Sequence, residues 1–259
     1  MTNILDNNFK IIAYRGGTEY FPENSIEAID ESLKSNPDTI IEIDLQFTKD
    51  KVVIVFHDFQ LENLTNGKGK ICDFTISELK KLFLKNYSGT VCETSKIPTL
   101  DEVFKKFKDQ YFVLDLHENN KALFDKVIEV VEKHNFQDRV ALVSIADGAT
   151  NEFQKLKPNW TFLASPKETK KIIFASKLLL HRFVRTTSNI MFVPEKLGGM
   201  NILNKRVIHE LHRRNIKVWS CNNFKPYENV NTLTDLKRLK ELGIDGVYTN
   251  DPKKISENK

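Results

Sequence analysis

The chain predicts an α/β fold, a TIM-type (β/α)8 barrel with an insertion at roughly 58–98, formed as one domain over residues 1–259. Three observations carry this: eight short β-branched and aromatic runs, helix-patterned stretches between them, and a length that suits one large core better than two small ones. The same alternation also allows an open, doubly wound sheet.

Taken in order, Ile11–Ala13 opens the set. Pro22, Asn24 and Ser25 ahead of IEAIDESL form an N-terminal cap signal for a helix over 25–35. Ile40–Leu45 is the second strand. Val52–Phe56 has a strand's composition, but only the turn-like TKDK precedes it, far short of the roughly dozen residues of a parallel crossover. It is expected to fold back as a hairpin arm. Residues 58–98, containing LTNGKGKICDFTISEL, are too long for an ordinary connection and are expected to lid the site. Strands Phe112–Leu116, Val140–Ser144, Trp160–Leu163, Ile190–Val193 and Lys217–Cys221 then alternate with helices over 100–108, 120–134, 147–157, 168–182 and 203–214. A helix over 232–242 stops at Leu242-Gly243, where glycine permits the left-handed exit, and leads to Gly246–Thr249. The tail KKISENK is polar and is expected to fray.

Lys and Arg exceed Asp and Glu by four, helpful to a phosphate but short of a nucleic-acid footprint, so no nucleic-acid partner is expected. The densest basic region, Lys167 to Arg185 with Lys170, Lys171, Lys177 and Arg182, reads as a solvated helix face; contact with an anionic lipid or polyphosphate is the alternative. No run approaches the ~18–20 apolar residues of a membrane span, and MTNILDNNFK lacks the flank and core of a signal peptide. No integral membrane segment and a cytoplasmic location follow as expectations. Cys72, Cys92 and Cys221 are odd in number and widely spaced, which points to a reducing compartment and away from a zinc site.

Period-two alternation in IIEIDLQFT puts Glu42, Asp44 and Gln46 on one strand face and Ile41, Ile43, Leu45 and Phe47 on the other. Two carboxylates on a buried face need a cation, either a metal or the side chain of a lysine or arginine. In YFVLDLHE, Tyr111, Val113, Asp115 and His117 share a face, adding an acid and an imidazole at a strand end. Three acids suit Mg2+ or Ca2+ better than zinc, and strand ends at the C-terminal face are where barrel enzymes work. Arg15, directly after the first strand, offers a planar fork to phosphate, or pairs with Glu23 or Asp44. His57 precedes Asp58, which can orient it, and imidazoles pass protons either way near neutral pH.

RGG followed by PENS, EID with TKD and then HD, LTNGKG, KPNWTFL, and KVWSCNN followed by GIDGVYTNDP occur in order from Ile11 to Pro252. In this the chain resembles the glycerophosphodiester phosphodiesterases. The resemblance implies that Glu42, Asp44 and Asp115 hold a divalent metal, that Arg15 grips the phosphate, and that His57 is an acid/base catalyst. Trp219 and Asn222 would line the mouth near the glycerol end, with core packing and a turn as the alternative. It also marks four departures: Tyr14 stands for the first catalytic histidine, Asp115 for a glutamate, His117 for a lysine and Asn63 for an arginine. Tyrosine, with an ordinary pKa near 10, is a poor base but a credible acid toward an alkoxide; His117 is the other candidate for the lost imidazole, and a substrate-binding position. The expected activity is hydrolysis of a glycerophosphodiester or related polyol or sugar phosphodiester. The alternatives are a weakened homologue that only binds the diester, and a lyase or transferase variant that stops at a cyclic phosphate.

Overall fold

The computed structural model describes residues 4–146, 148–177, 186–197, 199–224 and 227–256. Eight strands, β1 (Lys10–Ala13), β2 (Ile40–Phe47), β3 (Phe112–Leu116), β4 (Val140–Ser144), β5 (Thr161–Phe162), β6 (Ile190–Phe192), β7 (Lys217–Ser220) and β8 (Gly246–Thr249), run parallel, each beside its successor, and β1 lies beside β8. A parallel bridge between Leu163 and Ile190 joins β5 to β6 and closes the cylinder. Helices α1 (Ile26–Ser35), α2 (Leu100–Lys106), α3 (Lys121–Lys133), α4 (Ala149–Leu156), α5 (Pro166–Lys177), α6 (Lys205–His212), α7 (Leu233–Leu242) and α8 (Pro252–Ser256) alternate with them. The doubly wound alternative is thereby excluded. The end of the predicted helix over 168–182, together with Arg182 and Arg185, lies outside the described residues.

Side-chain alternation builds the core. Ile12, Ile40, Val113, Ala141, Leu163, Ile190, Trp219 and Tyr248 point inward and pack as a floor inside the barrel. On the outward faces, Ile41, Ile43 and Leu45 of β2 and Leu114 and Leu116 of β3 pack against Val103 and Phe104 of α2 and Leu123 and Val127 of α3. The hairpin arm, Val53–Val55, pairs antiparallel with β2, as the four-residue connection requires.

The insertion has a small core of its own, with Phe56, Leu61, Ile71, Leu79, Leu84 and Ile97 buried against Ile54. None of residues 58–98 lines the central cavity, although Asp58 pairs with His57 and the Phe59 ring lies 6.3 Å from that of His117; the segment flanks the site, where a covering lid was expected. Enough apolar side chains lie within the segment for it to fold on itself beside β2. The C-terminal rim instead carries a small four-stranded sheet from two hairpins, Lys196–Leu197 with Met200–Asn201 after β6, and Asn223–Phe224 with Tyr227–Glu228 after β7. Among the described residues, no helix is long and apolar enough to cross a membrane.

Candidate active site

The inward face of β2 climbs from Ile40 in the floor through Glu42 and Asp44 to Gln46, all buried. The β2–β3 register sets Asp115 beside Asp44. Like charges are thereby placed side by side, and one carboxylate oxygen from each of Glu42, Asp44 and Asp115 lies within 4.8 Å of the others. Asp115 Oδ1 is buried and makes no hydrogen bond.

Arg15 reaches this cluster through a sharp turn. Its φ is +51°, and Gly16 and Gly17 follow at +83° and +95°. A Cβ on Gly17 would sit 2.3 Å from Ser32 Oγ, so only glycine fits there. The turn aims the Arg15 N–H at Glu42 Oε2, 2.7 Å away, and Nη1 at both oxygens of Glu23, at 2.9 and 3.0 Å; Nε lies 3.4 Å from Asp44 Oδ2. Both ion-pair partners anticipated for Arg15 are therefore real.

Asp44 is the hub of the cluster. Asn24, held at φ +58° just before the Ser25 cap of α1, donates Nδ2 to Asp44 Oδ2 at 2.7 Å and accepts the Asp44 N–H at 3.1 Å. His117 Nε2 lies 2.8 Å from Asp44 Oδ1. The His117 ring stands edge-on to that of His57, with centroids 4.7 Å apart. His57 Nδ1 pairs with Asp58 Oδ1 at 2.6 Å, and Asn63 Nδ2 steadies Asp58 Oδ2 at 2.9 Å. From the top of β2, Gln46 Nε2 spans the carbonyls of Phe56, His57 and Asp58 at 3.0, 2.6 and 3.0 Å, and so fixes the turn that carries the histidine.

Burial and crowding set the ionisation. Burial pushes Asp115 up to about 7, with the Asp44 charge adding to it. Burial, then Asp44 and Asp115, raise Glu42 well above the carboxylate range. Burial also works against the Asp44 charge, but the hydrogen bond from His117 and the Arg15 guanidinium overcome it and hold Asp44 low. His117 is destabilised as a cation by burial, yet Asp44 and Asp115 together raise it above its ordinary value. Burial lifts the Tyr14 phenol far above 10 and keeps it protonated, against the opposing pull of Arg15. Its ring lies 4.8 Å from the Arg15 guanidinium carbon.

These groups open into one cavity of about 590 Å³. Its charged wall comes from residues 14–117: Tyr14, Arg15, Glu42, Asp44, His57, Asp115 and His117. The facing wall comes mainly from residues 143–202 and is apolar, with Ile173 and Phe174 of α5, Phe192 of β6, and Leu197 and Met200 of the first rim hairpin. Trp219 and Asn222 are not brought to this cavity. Trp219 is fully buried in the floor, 6.3 Å from Tyr248 between ring centroids, and Asn222 Nδ2 donates to the Asn229 carbonyl at 3.2 Å. The strand alternation aims Trp219 into the barrel, where it packs with Tyr248 in the floor. Glu23 entered the sequence reading only as an ion-pair partner, Asn24 only as part of a cap and Gln46 only as a position on a face. Of the facing wall, the sequence singled out only Lys170, in the basic stretch from Lys167 to Arg185.

A pocket that gathers three carboxylates beside a guanidinium suited to an anion is arranged for phosphoester chemistry. The chain belongs to the glycerophosphoryl diester phosphodiesterase family, whose model matches residues 15–254. It is 34% identical to the human lysophospholipase D GDPD1, over 96% of this chain and 85% of that protein. With a glycerophosphodiester phosphodiesterase of Caldanaerobacter subterraneus it shares 27% identity over 95% of each chain. The crystal structure of a glycerophosphoryl diester phosphodiesterase from Parabacteroides distasonis has the same fold, with a TM-score of 0.76 over 97% of this chain and 86% of that one, at 23% identity. The chain is accordingly a hydrolase of phosphodiester substrates.

Proposed function

We infer that the chain, acting as one domain over residues 1–259, is a divalent-metal-dependent hydrolase that cleaves a glycerophosphodiester to an alcohol and a phosphomonoester. The observation that carries this reading is the convergence of Glu42, Asp44 and Asp115 within 4.8 Å, beside Arg15. An all-oxygen donor set with a buried, unbonded Asp115 Oδ1 fits a hard cation, Mg2+ or Ca2+, held by these three residues. Once bound there, the cation supplies Lewis-acid neutralisation of phosphate charge.

The remaining roles fall to this chain's own groups. Arg15, preorganised by Glu23, binds a non-bridging phosphate oxygen. His57, with Nδ1 committed to Asp58, takes the proton of the glycerol hydroxyl next to the phosphate through Nε2. That oxygen bonds to phosphorus as the bond to the alcohol breaks, and the departing oxygen takes a proton from Tyr14, which burial keeps protonated. Water then opens the cyclic phosphate: its hydroxyl goes to phosphorus and its proton to the Tyr14 phenolate, while His57 returns its proton to the released glycerol oxygen, so both groups end as they began. His117 pairs with Asp44 and is better described as a positioning residue for the acidic cluster than as a second proton shuttle.

Phosphorus NMR on purified protein with a panel of glycerophosphodiesters, Mg2+ or Ca2+, and a His57→Ala control tests the reading. Monoester should form only with metal and intact His57. A persistent cyclic ester would instead identify the lyase variant, and an unchanged spectrum the binding protein.

A further inference from the structure

His57, the base of the reaction above, also stands in a second donor cluster, and this inference rests on that functional reading. Asp44, His57 and His117 each bring one ligand atom to within 4.8 Å of the others. The acidic cluster offers oxygen alone, whereas this one offers two imidazole nitrogens and one carboxylate oxygen. Oxygen sets suit Mg2+ and Ca2+; imidazole suits Zn2+ and its first-row neighbours. Two histidines and one carboxylate, with a position left open, are a recurrent donor set for Zn2+.

The donors are already placed as ligands would be. His57 Nδ1 lies 2.6 Å from Asp58 Oδ1, and Asn63 holds Asp58 in turn. A ring nitrogen tied to a carboxylate is the usual support of a metal-bound histidine, because it fixes the tautomer and leaves Nε2 as the basic atom. His117 Nε2 and Asp44 Oδ1 are 2.8 Å apart, near the ~3.3 Å between neighbouring ligands of a tetrahedral ion with bonds of ~2.0–2.2 Å. An ion can take the place of the proton that these two atoms share, and that proton leaves to solvent. The rings of His57 and His117 meet at 87° with centroids 4.7 Å apart. His57, with its side chain 29% exposed, is the member with room to close the set. Histidine is what makes position 117 a ligand: the lysine from which it departs carries an ammonium, which has no lone pair.

We propose that Asp44, His57 and His117 form a second divalent-cation site, for Zn2+ or a similar first-row ion, which shuts off the hydrolase by occupying His57 Nε2. With that lone pair committed to the ion, His57 cannot take the proton of the glycerol hydroxyl. Asp44 belongs to both clusters, so an ion here also competes for a ligand of the Mg2+ or Ca2+ ion. Zinc therefore opposes the activity that a hard cation supports.

Binding is measured first, on purified protein in saturating Mg2+. Co2+, a spectroscopic stand-in for Zn2+, should give the visible d–d bands of a nitrogen-bearing site, and Zn2+ should displace it. His117→Gln should weaken Zn2+ binding about tenfold or more, since loss of a ligand costs no less than loss of a supporting contact. It should keep the Mg2+-induced thermal shift, which reports a folded acidic cluster. Asp115→Asn should do the reverse, weakening Mg2+ and leaving Zn2+ at least as tightly bound. His57→Gln, at a part-exposed position, repeats the Zn2+ test should His117→Gln fail to fold. Zn2+ affinity unchanged in the histidine variants would overturn the proposal. In the phosphorus NMR assay, Zn2+ should suppress Mg2+-dependent hydrolysis by the unaltered protein, and His117→Gln should need about tenfold more for the same fractional loss. Undiminished hydrolysis at Zn2+ levels that fill the site would overturn the inhibitory role. If no diester is hydrolysed with any metal, the hydrolase reading fails, and the Zn2+ comparison still decides the site on its own.

Discussion

Replacing Asp115 with asparagine should make the metal-free protein more stable and the metal-loaded protein less stable. Its carboxyl lies beside Asp44 on the neighbouring strand, with one oxygen buried and unbonded, and is pushed up to about 7. From the ordinary ~3.9 that is about three units, or about 4 kcal/mol at 1.36 kcal/mol per unit; proton sharing with Glu42 and local relaxation reduce it to about 2 kcal/mol. The sign follows from linkage: the folded state binds this proton more tightly than the unfolded state, so the group costs stability as pH rises from ~4 through 7 and costs a constant amount above that. At pH 8 in a chelator, Asp115→Asn should therefore unfold about 4–8 °C above the unaltered protein, at ~2–4 °C per kcal/mol for a chain of this size. At pH 5 the gap should shrink by half or more. Saturating Mg2+ or Ca2+ stabilises whichever protein binds it, by about 2.7 kcal/mol at a hundredfold excess over Kd, and should reverse the order. Differential scanning fluorimetry at both pH values, with and without metal, reads all four conditions. A variant no more stable than the unaltered protein at pH 8 in chelator, or one that keeps the full metal-induced shift, would refute the reasoning.

Tyr14→Phe should lower turnover by about 100-fold or more while the metal-induced thermal shift persists, as loss of a proton donor requires; unchanged turnover would sink the acid role. Gln46→Leu removes the amide that the carbonyls of Phe56, His57 and Asp58 share. It should cost about 1–3 kcal/mol of stability and reduce kcat, so full activity in a stopped-flow assay would show that the His57 turn holds itself. Gly246→Ala, far below the reacting groups, drives a Cβ to 2.8 Å from Trp219 Cδ1. It should destabilise by about 1–3 kcal/mol through overpacking, measurable by denaturant melts.

Much of this arrangement could be read from the chain because it depends on period-two alternation. Once β2 and β3 are recognised as barrel strands, Glu42, Asp44 and Asp115 must face inward, and neighbouring strands bring them together. Arg15 and His57 follow from their positions at the end of β1 and after the hairpin arm. What escaped depends on depth and on distant contacts. Trp219 has the right alternation but packs into the floor beside Tyr248, which lines the cavity in its place. Asn24 reads as a helix cap, yet its left-handed backbone turns the side chain onto Asp44 twenty residues away. The insertion's own apolar residues allow it to pack on itself beside β2, a choice that its length did not reveal. The apolar wall draws on α5, β6 and a hairpin that share no motif, and only the closed barrel brings them opposite the charged residues.

The two walls of the cavity come from successive stretches of chain, residues 14–117 for the charged one and mainly residues 143–202 for the apolar one. Reaction and recognition are thus separately heritable. Mutation and recombination in the second stretch can change which alcohol is accepted while the acidic cluster stays intact, and a crossover between homologues near residue 130, within α3, would transplant one preference onto another's chemistry.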